Sequence, residues 1–246
     1  MIDIHCHILP CLDDGSGSLE ESVAMARMAC ASGVRGIVAT PHFSGEAASL
    51  KQLPVLLSRY EKLTQTLEEL KIPLPLYLGA EILCLPETPR LAAKHALPTI
   101  ANTSYLLTEF YFNESEVFMN RMLDILLESG SRPVVAHPER YAAIQHNPRL
   151  IEQWFRQGIV LQINKGSVLG AFGPKVQQCA ARILSEGLAH VIASDAHGST
   201  RRTPHMDALH QWLQRNCTPW YAHVLTEENP RRLLQNQDMA PTMLSL

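Results

Sequence analysis

Two histidines standing two apart near the start of the chain, His5 and His7, are followed within a few residues by Asp13-Asp14-Gly15. The apolar run around Asp3 has the pattern of a short strand, and residues two apart on a strand project to the same side. Two imidazole nitrogens aimed at one point suit a metal ion. Pro10 opens the following loop and Gly15 turns it, which can return a carboxylate, Asp14 or its rival Asp13, to the same place. An isolated His-x-His is as readily a solvated pair on a strand edge. What lifts this one above that alternative is the recurrence of ligand-type residues at the ends of later strands: His42, Glu81, Glu109, His137, Asp195 and His197.

With Asp14 these make nine nitrogen and oxygen donors and no sulfur, too many for one four-coordinate ion. Two or three divalent metals fit, and a mixture of carboxylate with imidazole suits manganese, iron or zinc. Glu81 and Glu109 have the two oxygens needed to bridge ions, and a bridged pair activates a water and holds the oxygens of an in-line displacement. Basic groups flank the ligands on two loops: Arg140 follows His137 by three residues, and Arg201 and Arg202 follow His197 by four and five. Guanidinium forks bind phosphate oxygens two at a time, so the combination points to phosphoester hydrolysis.

These groups need elements that bring them together. Strands are expected at the opening, at residues 36–40, 75–80, 105–108, 133–136, 159–163 and 189–193. Helical spacing fills the intervals, with helices at residues 50–70 (bent near Pro54), 116–129, 148–156, 175–186 and 202–216. Seven strands alternating with helices imply a parallel sheet with right-handed crossovers, and the even spacing favours a closed or nearly closed α/β barrel. In such a barrel the loops after the strands share one face, where distant residues converge. Residues 1–246 are expected to form one domain, with a loose tail after about residue 235.

Composition excludes several other classes. The 21 basic and 24 acidic residues leave a formal charge of −3, which gives nucleic acid no basic surface to bind. No apolar run approaches the ~20 residues of a membrane span, and Met1 opens directly on a strand with no basic leader, so a cytoplasmic protein is expected. Six scattered cysteines without a Cys-x-x-Cys pair are expected to be free thiols.

The motifs His5-Cys6-His7, Thr40-Pro41-His42, Gly79-Ala80-Glu81, Glu109, Ala136-His137-Pro138-Glu139-Arg140-Tyr141 and Ser194-Asp195-Ala196-His197 resemble, in order and over nearly the whole chain, those of the PHP (polymerase and histidinol phosphatase) superfamily. The closer likeness is to its bacterial manganese-dependent protein-tyrosine phosphatases of the capsule and exopolysaccharide type. That resemblance implies a distorted seven-stranded (βα) barrel with three metals. It implies that His5, His7, Glu81 and Asp195 hold one ion, Glu81, Glu109 and His137 a second, and Asp14, His42 and His197 a third. Arg140 and Arg202 fall where that branch keeps phosphate-binding arginines, although a one-residue slip puts Arg201 in the second role. The histidinol-phosphatase branch usually has histidines where this chain has Asp14 and Glu109, which sets the chain apart from it. The implied substrate is a phosphotyrosine protein, the tail of a bacterial tyrosine kinase, attacked in line by a metal-activated water. His42 or His197 is the candidate proton donor to the leaving phenolate.

Three rivals deserve statement. Cys84-x5-Arg90 has the spacing of phosphatases that form a phosphocysteine, but its two prolines remove backbone donors that such a loop needs. An amidohydrolase barrel bridges its metals with a modified lysine, for which Lys165 is the one lysine at a strand end. A non-catalytic accessory domain is the third, at odds with the retention of all nine donor positions. The rims of the site are expected at residues 43–53 and in Phe110-Tyr111-Phe112-Asn113-Glu114.

Overall fold

The computed structural model describes residues 1–242. Among the described residues nine short strands, all paired in parallel, form two sheets. One contains β1 (Asp3–Cys6), β2 (Ile37–Ala39) and β4 (Leu76–Leu78) in the order β1-β2-β4. The other runs β3-β5-β6-β7-β8-β9, with β3 at His42–Ser44, β5 at Glu81–Leu83, β6 at Tyr105–Glu109, β7 at Arg132–Ala136, β8 at Val160–Asn164 and β9 at Val191–Ala193.

Two of these strands, β3 and β5, lie outside the ranges expected from the sequence. Pro41 lacks the N–H that would carry the ladder on from β2, and Gly79-Ala80 separates β4 from β5. The chain then resumes pairing three residues at a time, with His42 opposite Glu81. That register sets two candidate ligands side by side.

Alternation along the strands separates two apolar layers. Val134 and Ala136 of β7, and Val191 and Ala193 of β9, lie in an inner cluster, whereas Val135 and Ile192 between them join the larger outer cluster under the helices. Both faces are therefore covered, and the strands read as continuous apolar runs rather than alternating ones. At or just past the strand ends the chain supplies His7, Glu109, His137 and Asp195.

Helix boundaries differ in detail. Pro54 does not bend a helix: it stands in the first turn of the helix Leu53–Glu69, where its missing N–H costs nothing, after a separate short turn at Ala47–Gln52. The last long helix begins at Asp207 rather than 202, which leaves Arg202 on a loop. The segment after residue 235 is not loose over the part described. Asn236 Oδ1 accepts from the Ser104 amide, the Tyr105 hydroxyl donates to the Gln237 carbonyl, and the Ala240 amide donates to Asn229 Oδ1. Residues 243–246 lie outside the described residues.

Candidate metal centre

The end of β1 delivers His5 and His7 in a fully buried position. The loop that follows closes back on it, because Gly15 packs so tightly on the His7 backbone carbonyl and Cβ that any side chain there would collide with them. This closure places the two aspartates differently. Asp13 Oδ2 accepts from His7 Nδ1 at 2.7 Å and from the His42 amide at 2.9 Å, so it braces the histidines from outside. Asp14 faces the opening, with Oδ1 3.4 Å from His42 Nε2 and 3.4 Å from His197 Nε2.

Glu81 is the hub. Its buried carboxylate lies 3.3 Å from His5 Nε2, 3.2 Å from His7 Nε2, 3.1 Å from His42 Nδ1 and 2.9 Å from His137 Nε2. Glu109 Oε1 stands 3.0 Å from the same His42 Nδ1. Asp195 brings Oδ1 to 3.6 Å from both His5 and His7 and 3.4 Å from His197 Nδ1. Three groups of donor atoms are each compact enough to surround one ion: His7, Asp14, His42 and His197; His5, His7 and Glu81; and His42, Glu81 and Glu109. These overlap the sets implied by the resemblance without coinciding with them. His42 reaches both the Asp14 and the Glu81–Glu109 groups, one through each ring nitrogen, while His137 joins Glu81 alone.

The hydrogen bonds around the cluster are those of a cation site. His5 Nδ1 lies 2.8 Å from Gln162 Oε1 and His7 Nδ1 2.7 Å from Asp13 Oδ2, and these acceptors fix the protons on Nδ1. Both Nε2 lone pairs then point inward, only 3.2 Å apart. Two such lone pairs repel unless a cation accepts both. The ionisation preferences agree. Burial disfavours charge on His42, yet the Glu109 and Glu81 carboxylates outweigh it and raise its pKa to about 11. Burial likewise opposes charge on His5, but Glu81 and Asp195 raise it to about 9. Glu81, which burial alone would keep neutral, is held well below the usual carboxylate range by His5, His137 and His42. The carboxylates thus demand positive charge at their centre, and the donor set fits divalent metal.

Both arginines face this cleft of about 250 Å³. Arg202 donates to Asp195 Oδ2, and Arg140 approaches the same oxygen at 3.5 Å. Arg201 is exposed and lines a neighbouring groove instead. His137, Asp195 and Arg202 all adopt left-handed backbone, with φ of 35°, 49° and 46°. Such conformations are costly for residues with a Cβ and persist where the surroundings enforce them.

Two rival chemistries lose their geometry. Cys84 is buried beside Thr88 with its thiol pushed up to about 12 by burial, and Arg90 pairs at the surface with Glu87. Neither residue lines the cleft. Lys165 donates through Nζ to the backbone carbonyls of Thr203 and His205, where it tethers the loop bearing Arg202 rather than bridging the carboxylates.

The structure also adds residues with no signal of their own in the sequence. Gln162 holds His5, and Asn164 donates through Nδ2 to Asp195. The buried Glu139 accepts from the Asn164 amide at 3.0 Å. Phe172 lies against Arg140. All but Phe172 lie in or directly after strands already placed, so their position, though not their orientation, was available.

A parallel α/β scaffold whose strand ends deliver imidazoles and carboxylates to one cleft defines a class, the metallohydrolases. Comparison with known proteins narrows it. Residues 1–235 match the family described as capsular polysaccharide synthesis, CpsB/CapC. The chain is 36% identical over 242 residues to tyrosine-protein phosphatase YwqE of Bacillus subtilis, spanning 96% of this chain and 92% of that one. It is 31% identical over 244 residues to tyrosine-protein phosphatase CpsB of Streptococcus pneumoniae, with 96% and 99% covered. A crystal structure from a study of YwqE and CpsB, described there as unique metal-dependent tyrosine phosphatases, superposes with a TM-score of 0.86 at 34% identity over 100% of both chains. The chain belongs to the CpsB/CapC family.

Proposed function

We propose that this protein is a metal-dependent phosphomonoesterase that dephosphorylates phosphotyrosine in a protein, and that its substrate is a tyrosine kinase controlling capsular or exopolysaccharide synthesis. The observation that carries this is the meeting of Glu81 with four imidazoles beside Arg140 and Arg202 in one cleft. Membership of a family whose relatives are named tyrosine-protein phosphatases supports the choice of ester.

His5, His7, Glu81 and Asp195 would hold one ion, Glu81, Glu109 and His137 a second, and Asp14, His42 and His197 a third, with manganese the leading candidate and iron or zinc the alternatives. When bound, such ions lower the pKa of a water and neutralise charge on phosphoryl oxygens. Arg140 and Arg202 bind the non-bridging oxygens and orient the ester for in-line displacement. His42 and His197 flank Asp14 at the mouth, where the leaving phenolate oxygen takes a proton. A phenolate, with a conjugate acid pKa near ~10, leaves readily enough that this proton is a modest contribution.

Asp14 and His42 are the ligand-type side chains most open to solvent, at 66% and 39% exposure. A phosphoryl group on a protein surface can therefore reach them without entering a deep tunnel, which supports a protein-borne substrate. The scaffold is a distorted seven-stranded barrel, with β2 and β3, and β4 and β5, each one interrupted strand. Support comes from the bonds that bridge the interruptions, Gly79 N to Ala39 O and Glu81 N to Pro41 O, and from His7 N to Ala196 O, which joins the first strand to the last. Residues 1–246 act as one domain. All six cysteines are free thiols, which suits a cytoplasmic location.

The test is turnover of a phosphotyrosine peptide beside histidinol phosphate and a phosphoserine peptide. Preference for the phosphotyrosine peptide is expected. Preference for histidinol phosphate would keep the site but move the protein to small-molecule metabolism.

A further inference from the structure

Arg140 is held in an unusual way for a residue beside so many carboxylates. Its guanidinium carbon lies 4.3 Å from the ring centroid of Phe112 and 4.3 Å from that of Phe172. The one side-chain hydrogen bond it makes among the described residues is the 3.5 Å approach to Asp195. Arg202 is the contrast: it is bound closely by Asp195, and Phe172 stands farther off at 5.8 Å.

Each ring is fixed by its own loop. The Phe112 carbonyl accepts from the Ala142 amide at 2.8 Å, which ties the loop after β6 to the segment carrying Arg140, and its ring leans on His137 and Tyr141. Phe172 packs over Gly166, where a Cβ would come within 2.7 Å of the ring. A glycine at that position is what lets the ring approach and reach Arg140. The two loops contribute no metal ligand, yet both end against the same guanidinium.

A cation held by carboxylates spends its N–H groups on them, whereas one held by aromatic faces keeps those groups for a ligand. We propose that Phe112 and Phe172 are positioning residues that clamp Arg140 through its contacts with their ring faces, leaving its N–H groups free for the phosphoryl oxygens. This rests on the assignment of Arg140 as a phosphate-binding group. Cation–π contacts at partly desolvated sites are worth about 1 kcal/mol each, or about fivefold in binding.

The test uses metal-replete enzyme and two readouts, the inhibition constant of inorganic phosphate and the kcat and KM for a phosphotyrosine peptide, with metal content measured for every variant. F112L and F172L are expected to weaken phosphate binding about fivefold each at unchanged metal content, while F112Y and F172Y, which keep the ring face, stay within about twofold of the parent. In an R140A background the leucine substitutions should have no further effect. If they weaken phosphate binding by the same factor with and without Arg140, the clamp is wrong. If R140A alone leaves phosphate binding unchanged, it is the assignment of Arg140 that fails. Phe112 is half exposed, so F112L tests the proposal even if F172L does not fold.

Discussion

His7 Nδ1 lies 2.7 Å from Asp13 Oδ2, a contact that engages Asp13 with the His7 ring while the adjacent Asp14 stands beside His42 and His197. Burial alone would raise the Asp13 pKa, but the His7 hydrogen bond and charge pull it down to about 2, so Asp13 is anionic at any working pH and fixes the His7 proton on Nδ1. Asp13→Ala should therefore act on metal affinity rather than on phosphate recognition. Loss of such an outer partner costs roughly 10- to 100-fold in metal affinity. Metal titration of stripped protein checks this, and unchanged affinity would remove Asp13 from the account.

The arginines should separate by position. Arg140→Ala and Arg202→Ala are expected to lower kcat/KM for a phosphotyrosine peptide by about 10²- to 10³-fold with metal retained, as for removal of one preorganised donor to a transition-state oxyanion. Arg201→Ala, on the exposed neighbour, should stay within about twofold. Steady-state kinetics with metal analysis distinguishes the three, and a large effect at Arg201 would mean that the loop is read one residue out of register.

His190 predicts a pH effect on stability far from the cleft. Its ring stacks on Phe155, its Nδ1 accepts from the Leu161 amide, and burial depresses its pKa to about 4. Between the unfolded value near ~6.5 and that folded value, the unfolded chain binds a proton that the folded one refuses. The contribution is thus fully present above the unfolded pKa and is lost as pH falls toward about 4, up to about 3 kcal/mol. Denaturant unfolding of metal-free protein at pH 7 and pH 4.5, compared with His190→Asn, should show a steeper loss in the parent. Equal losses would mean that His190 is not held neutral.

Much of the cleft was legible in the sequence because a strand's period of two and its abrupt apolar-to-polar ending mark where side chains emerge. His5, Glu81, His137 and Asp195 announce themselves in that way. What was hidden depends on tertiary contact. Whether Asp13 or Asp14 faces inward is set by a loop that closes only because Gly15 has no side chain. Strands β3 and β5 are too short to carry a periodic signal and exist because each pairs with a neighbour. Phe172 sits in a loop between helices, with nothing local to say that it reaches Arg140.

The most direct measurement is hydrolysis of a phosphotyrosine peptide by protein as purified, stripped by chelator, and restored with manganese, with metal per chain counted at each stage. The cluster around Glu81 predicts two or three ions per chain, activity lost with them and regained on restoration, and neither metal nor activity in Glu81→Gln. Turnover that survives complete removal of metal, or that persists in Glu81→Gln, would contradict it.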